Sequence, residues 1–177
     1  MQEMEVKVID INKEEIIKKL LELGAEKVFE GDIQASSYDF EDNRLAKDHA
    51  FIRLRKKGDK TFLTYKKKIN QDYAKVMQEL ETEVKDFDEM QKILLAAGLK
   101  AAKDLDRKKR TSFQIDNILF EIDEHENVPA YMEIEAPTLD LINEYVEKLG
   151  LDKEKVKTWT GKELLEHYGI KVDFMRV

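Results

Sequence analysis

The stretch Lys75-Val-Met-Gln-Glu-Leu-Glu-Thr-Glu-Val-Lys85 alternates polar or charged side chains with apolar ones. Successive side chains of a β-strand point to opposite faces, so residues two apart share a face. Glu79 and Glu81 therefore lie on one face, and Leu80 lies on the other. The pattern predicts a strand with one acidic face and one apolar face, and its recurrence along the chain decides the fold.

Seven further segments alternate in the same way, and turn signals such as Gly58-Asp59 and Asp116-Asn117 join several of them. They cover residues 2–9, 33–40, 50–57, 60–68, 106–115, 117–124 and 130–136. Apolar residues at three-to-four-residue spacing predict helices instead, near residues 12–23, 88–97, 138–149 and 160–168. The sequence thus predicts an α+β protein with about eight, mostly antiparallel strands, a number at which a sheet can close into a barrel.

Part of this pattern occurs twice in the chain. The segment that begins Glu3-Met-Glu precedes a predicted helix ending at Gly24, and the segment that begins Glu79-Leu-Glu precedes one ending at Gly98. Three alternating segments follow each helix. We therefore expect two pseudo-symmetric β-α-β-β-β halves within a single domain that covers residues 1–177.

The charged side chains form rows along the predicted strands, opposite the apolar residues. The basic rows are Arg53 and Arg55, Lys66 and Lys68, and Lys108 and Arg110. The acidic rows are Glu3 and Glu5 (followed by Lys7), Glu79 and Glu81, Glu121 and Asp123, and Glu133 and Glu135. Such rows can face water on an ordinary antiparallel sheet. Like charges on one face repel unless a counter-ion lies between them, so enclosed rows would instead suit a divalent cation bound to a polyphosphate.

The composition limits the possible classes of function. The chain has 177 residues, a net charge of -7 and no cysteine, so thiolate chemistry is excluded and a reducing, cytoplasmic location is expected. No apolar run is long enough to span a membrane, and the acidic N-terminus is not typical of a signal peptide. An acidic chain with short basic runs favours a small, highly charged anion over nucleic acid.

These motifs, in this order, resemble the CYTH domain of the triphosphate tunnel metalloenzymes, a family that includes class IV adenylyl cyclases and thiamine triphosphatases. The similarity covers essentially the whole chain. The matching motifs are Glu3-x-Glu-x-Lys7, Ala50-Phe-Ile-Arg-Leu-Arg55, Thr64-Tyr-Lys66, Glu79-Leu-Glu-Thr-Glu-Val84, Lys108-Lys-Arg110 with Phe113, Ile122-Asp123, Tyr131-Met-Glu-Ile-Glu135, and the segment Thr158-Trp-Thr-Gly-Lys-Glu-Leu-Leu165.

The resemblance implies a closed eight-stranded antiparallel β-tunnel with flanking helices, which holds a triphosphate end-on together with Mg²⁺ or Mn²⁺. By the same resemblance, the metal-binding residues are Glu3, Glu5, Glu79, Glu81, Asp123, Glu133 and Glu135. The triphosphate-binding residues are Lys7, Arg53, Arg55, Lys66, Lys68, Lys108 and Arg110, of which Lys7 and Lys66 are expected to be catalytic. The chain departs from the family pattern at Ser36, where an acidic residue is usual.

Three functions are compatible with these motifs. The first is a metal-dependent triphosphatase for inorganic, nucleoside or thiamine triphosphate, and the second is a class IV adenylyl cyclase that converts ATP to cyclic AMP and pyrophosphate. The third, a non-catalytic polyphosphate-binding module, is disfavoured because both acidic sets are present. His49, His125 and His167 have no metal-ligand spacing and are expected at the surface. Two placements of the C-terminal helix stay open, namely packing on the outside of the tunnel or a homodimer contact.

Overall fold

The computed structural model describes residues 3–69, 75–102 and 106–171, without the side chains of residues 3 and 75–77. Within these ranges the chain forms ten strands and five α-helices. The strands are β1 (Glu3–Val8), β2 (Glu26–Phe40), β3 (Ala50–Lys57), β4 (Lys60–Ile69), β5 (Lys75–Val84), β6 (Leu99–Ala101), β7 (Asp106–Ile115), β8 (Ile118–His125), β9 (Tyr131–Ala136) and β10 (Val156–Lys157). The helices are α1 (Lys13–Glu22), α2 (Arg44–Lys47), α3 (Phe87–Ala96), α4 (Leu139–Lys148) and α5 (Gly161–His167), and a 3-10 helix spans Lys153–Lys155.

The predicted helices are present, and each end lies one residue from its predicted position. At the start of α1, the side chain of Asn12 accepts a hydrogen bond from the backbone N–H of Glu15. At the start of α5, Thr160 and Glu163 form a reciprocal capping box. The chain leaves α1 through Gly24, whose φ of 87° is a left-handed conformation that glycine adopts readily.

The strands are hydrogen-bonded edge to edge, and their pairings return to the first strand. The order is β1-β5-β4-β3-β2-β7-β8-β9, and β9 pairs again with β1. All of these pairs are antiparallel, so they form a ring of eight strands. The pairing between β1 and β5 is the shortest of them, with three residue pairs centred on Met4 and Val76.

The ring has the predicted internal repeat. The first half is β1-α1-β2-β3-β4, and the second half is β5-α3-β7-β8-β9, when the short helix α2 and the short strand β6 are set aside. Exchanging the two halves preserves the set of pairings. The pairings β1–β5 and β2–β7 map onto themselves, β1–β9 corresponds to β5–β4, and β3–β4 corresponds to β8–β9. The predicted α+β fold with two pseudo-symmetric β-α-β-β-β halves is therefore confirmed.

Helices cover the apolar face of the strands. Leu20 of α1 and Ile142 of α4 belong to one buried cluster with Phe120 of β8. Leu94 of α3 packs in a second cluster with Tyr38 of β2. Removing these side chains from water is the main contribution to stability, and it directs the other, charged face of the same strands away from the helices. Within the described residues, no helix is long and apolar enough to cross a membrane.

Three features of the fold were not predicted from the sequence. Strand β2 begins at Glu26 and not near residue 33, because its first part pairs with β7 around a bulge between Lys27 and Phe29. Helix α2 forms because the buried carboxylate of Asp39 accepts hydrogen bonds from two backbone N–H groups at its start. Strands β6 and β10 are too short to produce a recognisable alternation, and they pair with β2 and β1 respectively.

Candidate active site

The register of the strand pairings assigns charged residues from seven ring strands to one continuous face. Directly paired residues lie on the same side of a sheet, so this face can be followed from each strand to the next. It contains all the charged residues that the sequence predicts for the site: Glu3, Glu5, Lys7, Arg53, Arg55, Lys66, Lys68, Glu79, Glu81, Lys108, Arg110, Asp123, Glu133 and Glu135. We refer to it as the charged face.

The charged face lines the interior of the ring. Three of its residues, Lys7, Arg110 and Asp123, are only 2%, 5% and 0% exposed. The ammonium of Lys57 on β3 lies 3.8 Å from a carboxylate oxygen of Glu121 on β8, although β2 and β7 separate these strands in the ring. Three strand spacings of about 4.8 Å each separate β3 from β8 along the sheet, so this contact crosses the interior.

Arg110 is the centre of a buried ion-pair cluster. Its Nε and Nη2 atoms donate to Asp123 at 2.6 and 2.5 Å. Nη2 also donates to Glu133 at 2.7 Å, and Nη1 donates to Glu121. Burial disfavours the charged guanidinium, but Asp123, Glu121 and Glu133 outweigh it and raise the pKa of Arg110 well above its ordinary value. Every nitrogen of this guanidinium thus has a carboxylate partner.

Lys7 lies beside this cluster, between two carboxylates. Its ammonium is 2.8 Å from Glu133 and also contacts Glu5. Burial opposes the charged form of Lys7, but Glu133 and Glu5 outweigh it and raise the pKa of Lys7. Burial likewise opposes ionisation of Glu133, yet Lys7, Lys108 and Arg110 lower the pKa of Glu133 well below its ordinary value. Lys7, Arg110 and Glu133 are therefore charged near neutral pH.

One end of β7 carries a further polar group of side chains. The ammonium of Lys108 is 2.7 Å from Asp123 and donates to the hydroxyl of Tyr131 at 3.3 Å. Nε2 of His125 lies 3.3 Å from Asp106, whose carboxylate raises the pKa of His125. The prediction that His125 lies at the surface is wrong, since its side chain is only 15% exposed. The reason is its register in β8, which directs it to the charged face.

The cations of β3 and β4 are less completely paired. Nη2 atoms of Arg53 and Arg55 lie 3.8 and 3.2 Å from the same oxygen of Glu81. Lys66 contacts Glu79. The Nε atoms of both arginines are buried and have no hydrogen-bond partner among the described residues. A buried donor without an acceptor costs about 1–3 kcal/mol, so this part of the charged face is short of anionic groups.

The pKa values of these cations show the same imbalance. Burial and the adjacent Arg55 lower the pKa of Arg53 to about 10. Burial and Arg53 lower the pKa of Lys66 to about 8, and the contact with Glu79 offsets only part of that decrease. A lowered pKa means that holding the positive charge costs free energy in the folded protein. An anion bound beside Arg53 and Lys66 would remove that cost.

The remaining predicted residues lie nearer the rim or in the basic region. Lys68 is exposed, and the side chain of Glu3 lies outside the described part of the structure. Glu79 and Glu81 are predicted metal ligands, but they contact cations of β3 and β4 in this structure. The structure thus groups these two carboxylates with Lys66 and the arginines of β3, away from the cluster around Arg110.

Ser36 lies away from the charged face. It pairs with Leu54 of β3 and is buried on the apolar side of the ring. The nearby carboxylate of Asp39 accepts backbone hydrogen bonds at the start of α2, which is a structural role. The departure from the family pattern at Ser36 therefore removes no carboxylate from the charged face.

The acidic residues have the donor chemistry that Mg²⁺ and Mn²⁺ prefer. Glu5 is directly opposite Glu135, and Glu121 is directly opposite Glu133. Like charges in such positions repel unless a cation compensates them. No three His, Asp or Glu side chains form a preformed metal site in residues 3–69, 75–102 and 106–171. Because Mg²⁺ is often held by one or two carboxylates together with substrate phosphates, the carboxylates fit a metal ion that is shared with a substrate.

The family resemblance assigns no role to Glu121 and Lys57, although both belong to the charged face. Alternation alone is enough to place them there, because Glu121 is two residues before Asp123 and Lys57 is two residues after Arg55. Their mutual contact across the ring depends on the closure of the strand pairings. No local pattern in the sequence signals that contact.

Comparisons with known proteins agree with the motifs. The model of the CYTH domain family matches residues 1–159. A candidate adenylate cyclase from Methanocaldococcus jannaschii is 29% identical over 144 residues, which are 80% of each chain. A solved protein of Pyrococcus horikoshii is 25% identical with a TM-score of 0.76, covering 93% of this chain and 99% of that one. A Hippeastrum candidate adenylyl cyclase, described as having a dominant triphosphatase activity, shares the fold at 12% identity and a TM-score of 0.64 over 100% of both chains.

The extent of the family match settles the relationship. The matched residues, 1–159, make up most of the 177-residue chain and include every predicted site residue. The ring of strands and its charged face agree with the architecture that the motifs predict. The protein belongs to the CYTH domain family.

Proposed function

We propose that the protein binds a triphosphate on the charged face, together with Mg²⁺ or Mn²⁺, and hydrolyses it. The substrates are inorganic, nucleoside or thiamine triphosphate. Membership of the CYTH domain family supports a triphosphate substrate, as does the name of the 29% identical relative, because a cyclase also acts on a nucleoside triphosphate. The site residues, the metal and the reaction are parts of this proposal.

One observation carries the proposal. Arg53 and Arg55 present buried Nε atoms without acceptors among the described residues, and burial together with the adjacent Arg55 lowers the pKa of Arg53. Phosphate oxygens are strong acceptors, and guanidinium groups bind them in a bidentate manner. A small polyanion fits this site because it supplies both the missing acceptors and the missing negative charge.

The basic residues would position the substrate and stabilise its charge. Arg53, Arg55 and Lys66 bind phosphate oxygens, since they have the least compensation from the protein itself. Phosphoryl transfer depends mainly on positioning and on stabilising charge at the phosphate oxygens. Lys7 and Lys66 are ammonium groups on opposite sides of β5, on β1 and β4, and they act as fixed point charges toward the phosphate group that leaves.

The acidic residues would hold the metal ion. Glu5, Glu133 and Glu135 meet at the pairing of β1 with β9, and Asp123 lies on the adjacent strand β8. When bound, a divalent ion draws electron density from phosphate oxygens and neutralises charge that develops during transfer. The protein keeps Glu133 ionised, as its strongly lowered pKa indicates. Glu3, Glu79 and Glu81 stay predicted ligands.

A second candidate function is the adenylyl cyclase reaction. The relative from Methanocaldococcus jannaschii, named a candidate adenylate cyclase, aligns over 80% of this chain and favours it. In hydrolysis, water attacks a phosphorus and a phosphoanhydride bond breaks. In cyclisation, the ribose 3′-hydroxyl of ATP attacks the α-phosphorus, which releases pyrophosphate. The same cations could bind the triphosphate in either reaction, so the products decide between them.

Product identification tests the proposal directly. The purified protein is incubated with tripolyphosphate, ATP or thiamine triphosphate, each with Mg²⁺ or Mn²⁺, and the products are identified by ³¹P NMR and chromatography. Orthophosphate supports the hydrolase, whereas cyclic AMP with pyrophosphate supports the cyclase. Tight binding without any product would indicate a non-catalytic polyphosphate module. A protein that neither binds nor cleaves any of the three contradicts the proposed function.

A further inference from the structure

We infer that Glu121 is the internal counter-anion of Arg110 and Lys57, and that a phosphate group displaces it from these cations when the triphosphate binds. Glu121 would then be a positioning residue that acts through the two cations and not a metal ligand. The inference rests on the proposed function, because it requires a triphosphate on the charged face. Nothing in the family motifs points to this residue.

Both oxygens of Glu121 face donors of the kind that bind phosphate. Oε2 accepts from Nη1 of Arg110. Oε1 accepts from the hydroxyl of Ser112 at 3.2 Å and lies 3.8 Å from the ammonium of Lys57. The residue is 7% exposed, so water does little to compensate its charge. A carboxylate enclosed by a guanidinium, an ammonium and a hydroxyl occupies an environment that also suits a phosphate group.

Glu121 contacts Nη1, the one guanidinium nitrogen of Arg110 that Asp123 and Glu133 do not bind. Asp123 binds Nε and Nη2 in a bidentate manner, and Glu133 shares Nη2. Only Glu121 contacts Nη1 among the hydrogen bonds of the described residues. Withdrawal of Glu121 would therefore free one edge of the guanidinium for a phosphate oxygen, while Asp123 continues to hold the other edge.

The contact with Lys57 connects the two halves of the ring. Burial lowers the pKa of Lys57, and Glu121 partly opposes that decrease. The ammonium also lies 4.7 Å from the ring centre of Phe29, so a carboxylate and an aromatic face compensate its charge from the protein itself. At 3.8 Å the ion pair is longer than a hydrogen bond, and a phosphate oxygen could replace it without loss of a close contact.

The position of Glu121 opposite Glu133 explains why its displacement is favourable. The two carboxylates are direct partners between β8 and β9, and their repulsion is compensated by Arg110, which contacts both. A triphosphate that pairs with Arg110 and Lys57 neutralises both cations, so Glu121 then competes with it for them. Its removal should strengthen anion binding, which is the opposite of what removal of a metal ligand would do.

The substitution Glu121→Gln tests the inference with two separate ligands. Titration calorimetry with tripolyphosphate in the presence of EDTA should show binding that is about fivefold to tenfold tighter than in the wild type, because the competing charge is gone. Binding of Mn²⁺ alone, followed by electron paramagnetic resonance, should change by less than about twofold. The matched control is Glu124→Gln, three residues along β8, where the carboxylate contacts Lys13 outside the charged face.

A double substitution identifies the cation through which Glu121 acts. In a Lys57→Met background, Glu121→Gln should tighten tripolyphosphate binding by only about twofold. The reason is that one of the two cations for which Glu121 and phosphate compete is then missing. If Glu121→Gln does not fold, Ser112→Ala takes its place, because it removes the hydroxyl that donates to Glu121, and it should tighten binding by about twofold.

Three results would overturn the inference. The first is unchanged or weaker tripolyphosphate binding in Glu121→Gln, and the second is a tenfold or greater loss of Mn²⁺ affinity in that variant. The third is a tightening of tripolyphosphate binding by Glu121→Gln that is as large in the Lys57→Met background as in the wild type. Failure of the proposed function has a different signature, in which the wild-type protein binds no tripolyphosphate at all. The calorimetric titration of the wild type therefore separates the two failures.

Discussion

Two groups of charge share the interior face of the ring, but the protein balances them differently. Around Arg110 and Lys7, carboxylates outweigh the effect of burial and raise the pKa of each cation. Around Arg53 and Lys66, burial and neighbouring cations lower the pKa values to about 10 and about 8. The protein thus neutralises the first group by itself, and it leaves the second group with an excess of positive charge.

The internal repeat makes this difference instructive. Exchanging the halves places β3 on β8 and β4 on β9. The strand with the basic pair Arg53 and Arg55 therefore corresponds to a strand with an acidic row, and the strand that carries Lys66 corresponds to the strand that carries Glu133. These two pairs of equivalent strands therefore carry opposite charge, whereas the equivalent strands β1 and β5 are both acidic. We infer that the repeat supplies a closed scaffold, and that the opposite charges on β3 and β4 and on β8 and β9 divide the interior into a phosphate side and a metal side.

The largest expected effect is the loss of turnover in Glu5→Gln, which tests the metal side. Glu5 is directly opposite Glu135, and the amide can neither neutralise a divalent ion nor bind it well. Triphosphate turnover should fall at least about 1000-fold. The melting temperature should change little, because the apolar face of β1 is unaltered and the buried Lys7 keeps its ion pair with Glu133. Steady-state kinetics and a thermal melt measure both quantities.

The control for Glu5→Gln is Glu15→Gln on α1, where the carboxylate is exposed and pairs with Lys19. Its turnover should equal that of the wild type. If Glu5→Gln retains full activity while Mn²⁺ binding is unchanged, then Glu5 does not belong to the metal site, and the division of the interior proposed above is incorrect on that side.

Next in size is the loss of stability in Arg110→Met, which tests whether the first group is self-neutralised. Removing Arg110 leaves the buried carboxylates of Glu121 and Asp123 and the partly buried carboxylate of Glu133 without their shared cation. Breaking a buried ion pair in this way costs about 3–5 kcal/mol of unfolding free energy. Millimolar Mn²⁺ should recover part of this loss by binding the carboxylates that have lost Arg110. Denaturant unfolding with and without Mn²⁺ measures both effects.

The matched control is Arg44→Met, because Arg44 forms an exposed ion pair with Asp42. That change should cost less than about 1 kcal/mol. Equal stability losses in the two variants would show that the interior cluster is no more important for folding than a surface pair.

Arg53→Met should lower activity less than Glu5→Gln does, and it should not lower stability as Arg110→Met does. A donor that stabilises transition-state charge typically contributes about 100-fold, so kcat/KM should fall by about that factor. The melting temperature should stay the same or rise, because a charge that burial and Arg55 disfavour is removed. Arg53→Lys should recover only part of the activity, since lysine lacks the second donor of the guanidinium. A marked loss of stability in Arg53→Met contradicts the comparison.

Alternation and helical spacing were sufficient to predict the order of the longer helices and of the ring strands. The four longer helices, the ring strands and the repeat all come from local patterns, which strands and helices produce because one of their faces is buried. The assignment of the charged residues to one face also follows from alternation, as the register of Lys66 with Glu79 illustrates. These features depend on neighbouring residues in the sequence, so the sequence contains the information directly.

The balance of charge could not be predicted in the same way. Nothing local indicates that Arg110 has a carboxylate on every nitrogen, whereas the Nε atoms of Arg53 and Arg55 have none among the described residues. The contact between Lys57 and Glu121 joins strands that are distant both in sequence and in the ring order. Such contacts depend on the diameter and closure of the ring, which single-residue patterns do not specify.

The smallest effect that we predict is a pH dependence due to Lys66. Its pKa of about 8 in the folded protein means that the ammonium loses its proton as the pH rises through that value. We expect kcat/KM to fall by about tenfold for each pH unit above about 8, because kcat/KM reports ionisation of the free enzyme. Lys66→Arg should remove this fall, since arginine remains protonated, and Lys67→Arg on the opposite face of β4, beside Asp48, should not.

The stability of the wild type should change with pH in the opposite sense. Lys66 has a folded pKa of about 8 and an ordinary value of 10.5, so the unfolded chain binds the proton more tightly than the folded protein between these values. The contribution of Lys66 to the free energy of unfolding therefore increases as the pH rises through this interval, while activity declines. Lys66→Arg should show neither the fall in kcat/KM nor the rise in stability. Measuring the wild type and Lys66→Arg against pH therefore separates Lys66 from all other titrating groups. A wild-type protein whose kcat/KM stays constant well above pH 8 would show that Lys66 is as fully compensated as Lys7, and the two groups of charge would then not differ in the way inferred here.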